Sequence, residues 1–164
     1  MRALLESITD EYRRYKALAE AALEQVPEAA LSEPGPAGGN SLAVICWHMA
    51  GNLRSRFTDF LTSDGEKTNR NRDGEFEAEA ADTRQAITAA WTRGWDLTLG
   101  TIASLAPEDL HKTVHIRAEA MSAMEAIHRQ MLHYAEHAGQ IILLAKHFAG
   151  ERWQTLSIPK RRRL

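Results

Sequence analysis

The sequence predicts an all-α protein, a four-helix bundle with long crossover loops. Apolar residues recur every three to four positions in four long segments of the 164-residue chain, which is the spacing of one helix face. Segments rich in proline, glycine or charge separate them. There is no convincing strand and no internal repeat, and the length suits one domain, so we expect residues 1–164 to form a single helical-bundle domain.

The first two helices are expected over residues 3–26 and 41–62. Pro27 ends the first one because proline lacks the backbone N–H and its ring clashes with the preceding turn. Asn40 or Ser41 is expected to cap the second, since a short polar side chain accepts hydrogen bonds from the free N–H groups of a first turn.

The third and fourth helices are expected over residues 82–105 and 121–148. Asp82 or Thr83 is the expected N-cap of the third. Gly150 follows the fourth helix, as a C-cap glycine does.

Two connections are long enough to cross the bundle. Residues 63–81 are polar and charged, which is compatible with a functional loop or with a solvated charge run. Phe76 is the exception there and is expected to anchor the loop to the body. Residues 106–120 form the second connection, in which His111 and His115 are expected to be surface residues.

Composition limits the class of protein. The formal net charge of −2 does not attract nucleic acid or an anionic membrane, and no apolar run reaches the ~20 residues of a membrane span. A single cysteine, Cys46, and the absence of a signal peptide predict a cytoplasmic protein. Residues 160–164 are expected to be a flexible solvated tail. Binding of nucleic acid through the basic residues 160–163 is a third, less favoured hypothesis.

The fourth helix carries the most informative residues. Its charged residues up to position 145 are Glu125, Arg129 and Glu136, which fall on one narrow strip, so most of its circumference is expected to be buried. His133 and His137, one turn apart and about 40° apart around the axis, lie just beside that strip, where a helix lines a cleft.

A divalent metal needs at least a third protein ligand, and His48 is the only histidine on another predicted helix. Three neutral imidazoles leave positions for water, which is the pattern of catalytic rather than structural sites. Such an ion would generate hydroxide or activate a substrate thiolate or oxygen. His128 and His147 share the fourth helix but point elsewhere, toward its packing edge and its solvent strip.

The chain resembles the DinB-like/YfiT-like superfamily of metal-dependent bacterial enzymes over nearly its whole length. It looks closest to an uncharacterised subgroup with His-x-x-Gly-Asn and His-x-x-x-His-x-Gly-Gln-Ile motifs. The resemblance rests on four segments: 40–42 leading into 47–54, the loop Asn71-Arg72-Asp73-Gly74-Glu75-Phe76, the stretch from His133 to Ile141, and the closing Leu156-Ser157-Ile158-Pro159. One departure is that Lys160-Arg161 follows where relatives usually continue with Arg-Gly.

The resemblance implies an up-down-down-up bundle, often assembled as a homodimer. It implies three metal ligands, which map onto His48, His133 and His137, with nickel, zinc or iron as the metal. Some relatives are S-transferases that use low-molecular-weight thiols such as bacillithiol, mycothiol or glutathione. Others are isomerases or hydrolases.

These considerations leave two main hypotheses. The first is an enzyme that acts on a small-molecule substrate, with Asn52, Arg72 and Gln140 as candidate substrate-binding residues. Arg72 could bind a carboxylate of a thiol cofactor bidentately. The alternative is a non-catalytic dimeric metal-binding helical module. An exchangeable water on the metal favours the enzyme, and a closed shell favours the module.

Overall fold

Four α-helices and a two-stranded sheet make up the part of the chain that the computed structural model describes, residues 2–77 and 83–157. The four predicted helices are confirmed. They are α1 (Arg2–Leu23), α2 (Leu42–Phe57), α3 (Arg84–Ser104) and α4 (Ala123–Ala149). Helices α1 and α4 pack together, as do α2 and α3, so the architecture is roughly that of a helical bundle.

The helix ends follow the capping residues. Ser41 and Thr83 each accept a hydrogen bond from a backbone N–H in the first turn of the helix that follows. Ser122 and Glu125 form a reciprocal capping box at the start of α4. Gly150 ends α4 with φ 56°, a conformation that favours glycine. N-caps of this kind stabilise a helix by roughly 1 kcal/mol each.

The core is aromatic at its centre. The Tyr12 ring makes edge contacts with three other rings, at centroid distances of 5.9–6.3 Å. The Tyr12 hydroxyl donates to the backbone oxygen of Ile127 at 2.7 Å, so it is buried with its hydrogen bond satisfied. The cluster joins all four helices through Tyr12, Phe57, Trp95 and Tyr134.

The prediction that the chain has no strand was wrong. Residues 113–122 contain an antiparallel hairpin of β1 (Thr113–Ile116) and β2 (Glu119–Ser122). Its turn residues, Arg117 and Ala118, both have positive φ, 57° and 62°, a conformation usually taken by Gly or Asn. The Asp64 carboxylate accepts hydrogen bonds from the backbone N–H groups of both residues. A residue distant in sequence therefore stabilises a turn that the local sequence does not predict.

Helix α2 ends five residues earlier than predicted. It was expected to reach residue 62 because Phe60 continues the apolar stripe, and Phe60 is indeed buried. However, Asp59 has φ 48°, which turns the chain back against α2. The Ser55 and Arg56 side chains then donate to the Gly65 carbonyl and fasten the returning loop to the helix.

Two further findings concern the C-terminal segment and whether any described helix could span a membrane. Trp153 and Leu156 pack against the core. The predictions made for Ile158, Pro159 and the basic tail lie outside the described residues. Within those residues, no helix combines the length and apolar character needed to cross a bilayer.

Candidate metal centre

The three predicted histidines lie together between α2 and α4. The Nε2 atom of His133 is 3.3 Å from Nε2 of His48 and 3.1 Å from Nε2 of His137. One potential ligand atom from each residue lies within 4.8 Å of the other two. Tetrahedral ligands at ~2.0–2.1 Å from one ion are about 3.3 Å apart. The cluster therefore fits a divalent metal without a large rearrangement.

The two helices expose this cluster unequally. His48 is buried on α2, 6% exposed, whereas His133 and His137 on α4 are half-buried. The cluster is therefore fixed on the α2 side and open to solvent on the α4 side. An open side is what a ligand-binding metal centre needs.

Burial also sets the charge of the imidazoles. It lowers the pKa of His133 to about 4, and the neighbouring rings of His137 and His48 add to the effect. The pKa of His137 is lowered as well, chiefly by burial. These two histidines are therefore neutral at pH 7, as metal ligands must be.

Hydrogen bonds to the outer ring nitrogens select the tautomers. His48 Nδ1–H donates to Glu75 Oε2 at 3.0 Å, and His137 Nδ1–H donates to Gln140 Oε1 at 2.9 Å. In both rings the lone pair is then on Nε2, facing the centre. His133 satisfies both neighbours when its own Nε2–H lies between them. To bind a metal through Nε2, His133 would move that proton to Nδ1.

The candidate substrate-binding residues occupy three different environments. Gln140 is exposed and contacts the outer side of His137, so it lies at the rim of the cluster. Asn52 is buried one turn after His48, and its Oδ1 accepts a hydrogen bond from the Tyr134 hydroxyl at 3.0 Å. Substrate-binding roles for both residues stay predictions.

Arg72 lies further out, on the loop. Its guanidinium is half-exposed and sits over the Phe76 ring at 5.2 Å from the centroid. The Phe76 ring in turn lies 4.9 Å from the His48 ring and is 37% exposed, so it contacts the body of the protein at this ring, and its role as a loop anchor stays a prediction. Arg72 therefore lies over Phe76, and Phe76 contacts His48. A role of Arg72 in binding a substrate stays a prediction.

Sequence reasoning missed the residue that partners His48. In the structure, Glu75 from the loop contacts Nδ1 of His48, and Arg70 contacts Glu75. The side chains of Arg70 and Glu75 are only 3% and 10% exposed, so the interpretation as a solvated charge run is wrong for them. Two features pointed to this contact: the 71–76 motif and a glycine, Gly51, inside α2.

The charge of Glu75 follows from its partners. Burial by itself opposes ionisation of this carboxyl. The hydrogen bonds from His48 and Arg70 outweigh that effect and hold its pKa below the usual value, so Glu75 is ionised at pH 7.

The other histidines take no part in the cluster. His111, His115 and His147 are exposed, as expected. His128 is half-buried on α4 and is not in the group of three.

The fold and the site together define a helical-bundle protein whose three clustered histidines are compatible with a metal site. The family model described as "Protein of unknown function (DUF1572)" matches residues 1–162, and the chain belongs to that family. A search of curated proteins found no match. The predicted membership of an uncharacterised family is thus confirmed, while the wider relation to the DinB-like superfamily stays a prediction.

Proposed function

We propose that this protein is a metal-dependent enzyme that binds one nickel, zinc or iron ion through His48, His133 and His137. It would act on a small electrophilic molecule as a thiol-dependent S-transferase or as a hydrolase. The convergence of the three Nε2 atoms carries the proposal. Within residues 2–77 and 83–157, no fourth histidine, cysteine or carboxylate joins the cluster, which favours an open, catalytic coordination shell.

The chain's own residues would prepare this chemistry. A bound divalent ion lowers the pKa of a coordinated water or thiol toward neutrality. Gln140 and Glu75 keep two of the ligand lone pairs directed inward. Arg72 is half-exposed on the loop, over the Phe76 ring, and its planar guanidinium suits the carboxylate of a low-molecular-weight thiol such as bacillithiol, mycothiol or glutathione.

The alternative, a non-catalytic metal-binding module, makes a different prediction about the ion. Elemental analysis of untagged protein is expected to give about one divalent metal per chain. X-ray absorption spectroscopy of that metal is expected to show three imidazole nitrogens and at least one exchangeable oxygen. A shell closed by protein ligands would support the module.

Catalysis itself is tested by turnover. Each thiol, and water alone, is incubated with model electrophiles and with metal-loaded or metal-stripped protein. We expect metal-dependent consumption of the electrophile with at least one of them. Binding of the metal without turnover in any combination would contradict the enzyme proposal.

The bundle topology is also a proposal. An up-down-down-up order of helices, as in the DinB-like superfamily, is supported by the pairing of α1 with α4 and of α2 with α3. The buried Leu110, Val114 and Ile116 attach the crossover between α3 and α4 to the core. A solved structure of a related protein with an assigned function would test whether the helix order is that of the DinB-like superfamily.

We further propose that the protein forms a homodimer through α4. Leu132 and Leu143 are 63% and 70% exposed and lie three turns apart on one side of this helix. Replacing Leu143 with glutamate is therefore expected to convert a dimer to monomers in analytical ultracentrifugation. Leu4→Glu, at an exposed leucine of α1, is the control and should leave the dimer intact. A monomeric wild-type protein would contradict the proposal.

A further inference from the structure

The loop between α2 and α3 supplies a residue that positions the metal centre. We infer that Glu75, held in place by Arg70, fixes the orientation and tautomer of His48, so that metal affinity depends on this loop. The inference rests on the proposed metal site. Glu75 contacts the proposed metal ligand His48 through its Nδ1 and does not itself reach the converging Nε2 atoms.

The contacts of Glu75 use both of its carboxylate oxygens. Arg70 donates to them bidentately, from Nε to Oε1 at 2.8 Å and from Nη2 to Oε2 at 2.7 Å. His48 Nδ1–H donates to Oε2 at 3.0 Å. Because all three side chains are at least nine-tenths buried, water competes little for these hydrogen bonds. The imidazole is thereby held with its Nε2 lone pair toward His133.

Arg70 is itself anchored to the body of the protein. Its Nη1 lies 3.3 Å from Glu66 Oε1, and Glu66 also accepts from Arg56 Nη2 at 3.1 Å. Arg56 belongs to α2, two turns after His48. The loop is therefore tied to the same helix at two levels, and Glu75 cannot shift without disturbing the buried network.

Helix α2 is shaped to receive this carboxylate. Gly51 lies close to one turn after His48, and a Cβ atom there would be 2.0 Å from Glu75 Oε1. Such a distance is far below any van der Waals contact, so only glycine allows Glu75 to approach the helix. A glycine inside a helix costs about 1 kcal/mol relative to alanine. Its presence is explained by the space that Glu75 needs.

A carboxylate on the outer nitrogen of a metal-binding histidine orients the ring and raises its basicity. Loss of such a partner typically lowers metal affinity 10- to 100-fold. The same loss is expected when the carboxylate is neutralised and when it is displaced with its charge intact.

Two variants test these cases separately. Glu75→Gln removes the charge, and Gly51→Ala displaces the carboxylate while every charged group remains. We expect each to weaken binding of Zn²⁺ and Ni²⁺ roughly 10- to 100-fold in competition with a chromophoric chelator. Asp73→Asn is the control for charge, since Asp73 is 91% exposed on the same loop. Gly100→Ala is the control for the substitution, because a Cβ there meets open space on α3.

A second readout needs no metal. Long-range ¹⁵N–¹H NMR spectra of the metal-free protein report which nitrogen of His48 carries the proton. The wild type and both controls are expected to show the Nδ1–H form. Both test variants are expected to show a mixture of tautomers. Circular dichroism checks that each variant is folded, and if Glu75→Gln unfolds, Gly51→Ala decides.

The outcomes separate this inference from the metal site on which it rests. Wild-type affinity in both folded test variants, with His48 still in the Nδ1–H form, would overturn the role of Glu75 and leave the metal site standing. A wild-type protein that binds neither metal would overturn the metal site and this inference together.

Discussion

Replacing His133 with alanine is expected to abolish stoichiometric binding of a divalent metal. The Nε2 atom of His133 is the one that lies within 3.3 Å of both other Nε2 atoms, so its loss leaves two ligands on different helices. Two imidazoles hold an ion poorly. We expect a loss of affinity greater than the 10- to 100-fold that removal of an outer partner causes. Competition with a chromophoric chelator measures it.

His147→Ala is the matched control for this experiment. His147 lies on the same helix but is exposed and outside the cluster, so its loss should leave affinity unchanged. Equal affinities of wild-type protein, His133→Ala and His147→Ala would mean that the metal binds elsewhere. Because His133 is only half-buried, both variants are expected to fold, which circular dichroism verifies.

The sequence predicted the helices because their determinants are local. The apolar stripe recurs within each helix, and Ser41, Thr83 and Ser122 each act on the turn that follows them. The hairpin escaped prediction because its turn, Arg117-Ala118, lacks the residues that favour positive φ. Asp64, more than 50 residues earlier, supplies the missing stabilisation, and such a contact is not visible in a single sequence.

The candidate site likewise has residues whose proximity follows from local sequence and residues whose contacts do not. His133 and His137 are one turn apart on a helix, so their proximity follows from helix geometry. His48 was added as the only histidine on another predicted helix, and the structure brings it to the pair. Glu75 and Arg70 were missed because charged residues in a polar loop usually remain in water. Their burial depends on partners distant in sequence, so local composition gave the opposite indication.

Arg70→Met is expected to lower the free energy of unfolding by roughly 3 kcal/mol. Arg70 is 3% exposed and binds two carboxylates, those of Glu75 and Glu66. Without it, Glu75 keeps only its hydrogen bond to His48, and a buried carboxylate loses its cationic partner. Removal of one member of a buried ion pair typically costs about 3–5 kcal/mol. We place the loss at the lower limit because His48 still donates a hydrogen bond.

Arg117→Met separates burial from the loss of an ion pair. Arg117 also contacts Glu66, at 3.0 Å, but it is 59% exposed, so water replaces it when it is removed. Its loss should cost less than about 1 kcal/mol in urea unfolding, which measures both variants. If Arg70→Met costs no more than Arg117→Met, the loop is not held by a buried ionic anchor. If it costs several times more, the anchor that keeps Glu75 against His48 also contributes substantially to the stability of the fold.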